Sequence, residues 1–223
     1  MSAEKSIGKL EQLPTELLQD ILAWIPDIQS LAAAVLTGPK FYCAFLDAQT
    51  QIVKGVLQRQ IPTELMHDAL AAEASSGQDT WTREQAIEFL KQYFAREKQP
   101  FHYSLQWTLS QALPLAQLYS IIEFFVGSLV SPILARQSSS RPLSKTEKCR
   151  ISCNFYRFQI YCNLFKNEKE IPIYADHDQQ HEYFAHFAPW ENEQLACIHD
   201  YLLLVITPGS NTFFSLTDVV III

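Results

Sequence analysis

Between Leu13 and Leu57 the apolar residues recur at three- and four-residue steps and are cut twice by proline, a pattern that predicts three short amphipathic helices. Leu17, Leu18, Ile21, Leu22 and Ile25 carry the first period, with Glu16, Gln19 and Asp20 between them. Pro14 suits the first turn of a helix, where a missing N–H is no loss. Glu16 in that turn favours the helix dipole. Pro26 ends the run, because it would remove a backbone hydrogen bond and clash with the preceding turn. Asp27 is a suitable cap for a second helix through Leu31, Val35 and Leu36, which Thr37-Gly38-Pro39 breaks. A third carries Phe41, Phe45 and Ile52 towards Val56 and Leu57.

Helical periods continue through Pro62 to Ala74 and Arg83 to Phe94, separated by the loop Ser75 to Asp79. Ser104 to Leu134 reads as one or two buried helices, and Gln137 to Ser140 as a linker. Lys145 to Phe165 reads as a long helix with one aromatic face, Phe155, Phe158, Cys162 and Phe165, and Glu191 to Leu204 as another. Only 6 glycines occur in 223 residues, fewer than a sandwich or barrel of tight turns would use. The expected class is all-α: a three-helix module at about 10–55, then an irregular helical domain at about 60–205. An apolar tail at 206–223 ends in five β-branched residues, Val219 to Ile223; exposed, it would be an aggregation hazard. Either it packs inside or the chain is shorter than the fold it belongs to. The segments LPTELLQDIL from Leu13 and IPTELMHDAL from Ile61 share six of ten residues. A Pro-Asp turn succeeds the first copy and AAEASSG the second, so two similar helix starts explain the echo better than a repeat.

Hydrophobic residues make up 48% and charged residues 18%, a globular composition. A net charge of −7 with no run of lysine and arginine argues against nucleic-acid binding, which needs a basic face to displace counterions. The five cysteines, Cys43, Cys149, Cys153, Cys162 and Cys197, are odd in number, and no signal-like segment precedes them. Free, mostly buried thiols in the cytosol or nucleus are expected. The stretch Ala112 to Ala135 has the length of a membrane span. Glu123 lies at its middle, where a charge costs roughly 2.5–3.5 kcal/mol, so a core helix is expected.

Two clusters invite a chemical reading. His177 and His181 stand four apart, the spacing that puts two imidazoles on one helix face, with Glu182 or His186 as a further ligand or base for a metal-dependent hydrolase. The glutamate that metalloprotease helices carry after the first histidine is missing, and a solvated polar segment is the simpler reading. Cys149, Cys153 and Cys162 are spaced unlike zinc ribbons or fingers and read as structural thiols. Neither a glycine-rich phosphate loop nor a nucleophile elbow is present in the sequence. No metal, no cofactor and no enzymatic activity are expected.

The string LEQLPTELLQDILAWIPDIQSLAAAVLTGPKFYCAF resembles the F-box family. Leu13, Pro14, Glu16, Leu17, Ile21, Leu22, Pro26, Asp27, Ser30, Leu31 and Val35 match the family pattern in order and spacing. It departs in two places: Phe41 or Phe45 stands where a late tryptophan is usual, and Ala32-Ala33-Ala34 is small for a packed second helix. The later Phe155–Phe165 and Pro189–Gln194 segments are similar to F-box-headed proteins of filamentous fungi. The resemblance implies that Leu13, Pro14, Leu17, Leu18, Ile21, Leu22, Ile25, Leu31 and Val35 dock a Skp-type linker. It further implies that the chain is a substrate-recruiting adaptor of an SCF-type cullin–RING ubiquitin ligase, or a linker-binding protein acting outside one. Physical size points the same way, because a 40-residue module has more apolar side chains than three short helices can cover for one another.

Overall fold

The computed structural model describes residues 9–78, 80–95, 106–136, 141–165 and 183–206. Among these the chain is helical, with no strand, and the expected all-α class is found. A 3-10 turn at Lys9–Gln12 leads into α1 (Thr15–Ala23), α2 (Ile28–Val35), α3 (Pro39–Gln60), α4 (Thr63–Ser76), α5 (Arg83–Phe94), α6 (Leu109–Arg136), α7 (Lys145–Phe165) and α8 (Pro189–Ile206). The described residues of 1–63 and 104–117 form one compact unit, and those of 64–103 and 118–223 another.

In the first unit the helix ends obey local chemistry. Pro14 holds an extended backbone just before α1, and Asp27 caps α2 by accepting from the Ser30 N–H at 2.7 Å and from its hydroxyl at 2.8 Å. Pro39 begins α3, whose path bends at Ala48 (φ −130°, ψ 20°). α1 and α2 both lie against α3. Leu18, Leu22, Ile28 and Leu31 have no exposed surface and meet Phe45, Val53 and Val56 as interior residues of the unit. Each such burial stabilises by roughly 1.5–3 kcal/mol. Trp107 precedes α6 with φ 51°, a strained backbone for a bulky residue, and its ring lies 5.7 Å from the Lys54 ammonium.

The second unit is built around α7. From Asn154 to Phe165 every residue of that helix except Arg157 is buried, so it is enclosed on all sides and not along one aromatic face. Burial of Gln159 and Asn163 is offset by hydrogen bonds. Asn163 donates to the Ala72 carbonyl (3.1 Å) and the Ser75 hydroxyl (2.9 Å), and accepts from the Gln159 amide (2.9 Å). Asp68, fully buried on α4, accepts from the Tyr93 hydroxyl (2.7 Å) and the Cys153 thiol (3.0 Å). Burial first, then the neighbouring Asp68 carboxylate, holds the Tyr93 phenol well above its usual range. An aromatic cluster of Phe94, Tyr161, Tyr183 and Phe187 closes this side, with Tyr183 donating to the Arg157 carbonyl at 2.7 Å.

The apolar stretch Leu109–Pro132 is long and apolar enough to cross a membrane by composition. In the fold it is one continuous helix despite Pro114 and Pro132. Ala112, Leu115, Ile122, Val126 and Val130 turn inward; Gln117, Ser120, Gly127, Ser128 and Ser131 turn outward, with Phe124 the large apolar side chain among them. Glu123 pairs with Lys148 of α7. The thiols depart from expectation: only Cys162 is buried, Cys43 and Cys197 are exposed, and Cys149 and Cys153 lie on the half-buried flank of α7 before it becomes enclosed.

Candidate functional site

The α1 helix carries two neighbouring apolar faces, one buried and one exposed. One, Leu18 and Leu22, fills the interior of the first unit. The other, Pro14, Leu17, Ile21 and Trp24, recurs at steps of three and four and lies exposed, with Leu17 47%, Ile21 41% and Trp24 80% accessible. Glu16 and Asp20 flank this stripe and are also exposed.

Two side chains and one backbone carbonyl of α3 fix the stripe in place. Lys40 donates through Nζ to the Leu13 carbonyl at 2.7 Å, holding the entry to α1. The Ala44 carbonyl accepts from Gln19 Nε2 at 3.1 Å on the buried side. At the far end Arg59 donates to the carbonyls of Ala23 and Ile25, the latter at 3.1 Å, and its guanidinium sits 5.9 Å from the Trp24 ring. A cation on the last carbonyls of α1 complements the helix dipole, and the cation–π contact orients the exposed indole. The Gln60 side chain accepts from the Ile28 N–H at 3.0 Å and so secures the start of α2. The exposed face is thus held from behind before anything binds it.

The nine residues expected to dock a linker therefore divide. Pro14, Leu17 and Ile21 are exposed, and Leu13 and Ile25 are half-buried at the ends of the stripe. Leu18, Leu22, Leu31 and Val35 belong to the interior, at 2% accessibility or less, and have no surface with which to touch a partner. Their apolar character serves the packing of α1 and α2 on α3. Trp24 is the surface residue that sequence reasoning missed, although its position three after Ile21 and seven after Leu17 was a usable signal.

The alternative reading, a metal-dependent hydrolase at His177 and His181, falls mostly on residues outside the described ones. His177, His181 and Glu182 lie outside them. His186 is exposed and stacks on Phe94 with ring centroids 4.0 Å apart. Among the described residues no group of three or more His, Cys, Asp or Glu could hold a metal ion. Burial raises the Cys162 thiol above its ordinary range, and partial burial followed by the Glu64 carboxylate raises Cys149. Both shifts oppose the thiolate that a nucleophile or a metal would require.

Comparison with known proteins adds no relative: no protein-family model matches the chain, and no curated protein and no solved structure is found similar to it.

Proposed function

We propose that this chain is a substrate-recruiting adaptor of an SCF-type cullin–RING ubiquitin ligase, with α1 to α3 as the F-box that binds a Skp-type linker. The observation that carries the reading is the exposed stripe Pro14, Leu17, Ile21 and Trp24 on a module whose interior is already complete without it. Large aliphatic side chains left in water forgo roughly 1.5–3 kcal/mol each. A contiguous apolar stripe with an exposed tryptophan is the kind of surface that anchors a protein partner. It coincides with the residues that carry the F-box resemblance, Leu13-Pro14-Thr15-Glu16-Leu17 and Ile21-Leu22. In this reading no bond chemistry is done by the chain itself, and the second unit presents the protein to be modified.

The test is capture of the purified full chain by a Skp-type linker, wild type beside a Leu13→Ala/Pro14→Ala variant, with cullin added. Capture that the double variant loses supports docking through α1. Recovery of cullin with the linker supports a ligase adaptor; linker without cullin supports a role outside a ligase. Failure of the wild type to bind any Skp-type linker overturns the proposal.

A further inference from the structure

A polar cleft of about 320 Å³ opens in the second unit between α7 and the start of α8, lined by Arg150, Cys153, Asn154, Arg157, Trp190 and Glu191, with Gln194 at its edge. Its hydrogen bonding is incomplete in a specific way. Asn154, only 5% accessible, spends both amide hydrogens, on the Arg150 carbonyl and on Gln194 Oε1, each at 3.0 Å. Its buried Oδ1 is left with no donor among the described residues. Arg157 gives Nη1 to Glu191 Oε1 at 2.9 Å, while its buried Nε–H has no acceptor there. An unmet acceptor and an unmet donor, both buried on one cleft wall, are costly unless something else supplies their partners.

The charges there have a sign. Glu191 is the one carboxylate among the described residues lining the cleft, and both its oxygens are engaged, by Arg157 and by the Ala188 N–H at 3.0 Å. Arg150 is exposed and, among the described residues, makes no close ion pair; it feels Glu147, one turn earlier on α7, whose carboxylate already accepts from Ser144. The cleft therefore carries an unspent positive charge in a chain whose net charge is −7. Trp190, 67% accessible, supplies an aromatic wall.

We infer that this cleft binds an acidic peptide segment of the recruited protein, resting on the adaptor reading for the nature of the partner. A carboxylate side chain meets Arg150 and the Arg157 Nε–H, and a backbone N–H of the same segment meets Asn154 Oδ1. Trp190 packs against the adjoining stem. A phosphorylated serine presents the same anionic acceptors as aspartate or glutamate and uses the same groups.

The probe is an array of otherwise identical short peptides with Asp, Glu, phosphoserine, Asn, Gln or Lys at the central position, exposed to the purified full chain. The expected result is retention of the chain by the acidic peptides about tenfold above their Asn and Gln counterparts, weakened by salt. Arg157→Gln would also free Glu191, so the exposed variants Arg150→Glu and Trp190→Ala are the informative ones. Both should keep wild-type helical circular dichroism; Arg150→Glu should lose the acidic preference, and Trp190→Ala should weaken retention by every peptide. The carboxylate and phosphoserine positions then tell which anion is favoured. Equal retention of acidic and neutral peptides, or a preference that survives Arg150→Glu, overturns the inference. Linker capture is read on the same protein. Acidic-peptide binding without linker capture supports the cleft and removes the adaptor reading; linker capture by a chain indifferent to acidic peptides overturns the cleft alone.

Discussion

Leu17 and Leu18 are adjacent in the chain and part company in the fold: Leu17 is 47% exposed on the outer apolar stripe, and Leu18 has no accessible surface. The pair separates binding from stability. Leu17→Asp is expected to abolish linker capture, because it brings a charge into an apolar interface, while leaving the melting temperature near the wild-type value. Leu22→Ala, in the interior beside Leu18, should instead cost about 2–5 kcal/mol of folding stability. Denaturation curves beside pull-downs check both, and a Leu17→Asp protein that still captures the linker would remove α1 from the interface.

The cap of α2 rests on one side chain. Asp27→Ala should lower stability by about 1 kcal/mol, since the Ser30 N–H and hydroxyl both lose their acceptor, and Asp27→Asn should retain most of it. Urea midpoints for the two variants test this; equal midpoints would mean that the cap contributes nothing.

Tyr93→Phe removes the 2.7 Å donor to the buried Asp68 carboxylate. A hydrogen bond to a charged group is worth about 1.5–3 kcal/mol, so a loss of about 2 kcal/mol is expected. Tyr201→Phe is the contrast: its hydroxyl reaches the Phe125 carbonyl at only 3.4 Å, and its loss should fall within about 0.5 kcal/mol. A Tyr93→Phe midpoint no lower than that of Tyr201→Phe would contradict the assignment.

Alkaline pH should destabilise the fold. Burial raises Cys162, Tyr93, Tyr156 and Tyr183 above their ordinary values and, with Glu123 adding to it, pushes Tyr119 up to about 12. Below about pH 8.5 these groups are protonated whether folded or unfolded, and their contribution is complete. Above it the unfolded chain loses protons that the folded chain keeps, so stability falls as pH rises towards the folded-state values. Thermal melts between pH 8 and 11 should shift steadily downward; a constant melting temperature across that window would refute the burial of these groups.

Much of the helix order is legible in the sequence because proline and capping residues act locally. The expected bounds Arg83 to Phe94 and Lys145 to Phe165 are those of α5 and α7, and the echoed segments at Leu13 and Ile61 both prove to be helix starts, at Thr15 and Thr63. What stays hidden depends on distant partners. Leu17, Leu18, Ile21 and Leu22 are all apolar, so their spacing defines a wide stripe; which half faces inward is decided by α3. The burial of Asn154, Gln159 and Asn163 is equally hidden, because their hydrogen bonds reach α4, α8 or the neighbouring turn of α7. The cleft beside α8 has no motif, since Asn154 and Arg157 stand tens of positions before the α8 residues that close it, Glu191 and Gln194.

The clasp of α3 on α1 also has a consequence during synthesis. Lys40 reaches back to Leu13, Arg59 to Ile25 and Gln60 to Ile28, so each of these ties within the module comes from a residue translated later. The first two helices emerge from the ribosome before the α3 surface that they lie against, and the module closes only after Gln60 has come out behind them. A nascent chain arrested before that point would offer Leu18 and Leu22 to chaperones together with Leu17 and Ile21, without distinction between core and binding face.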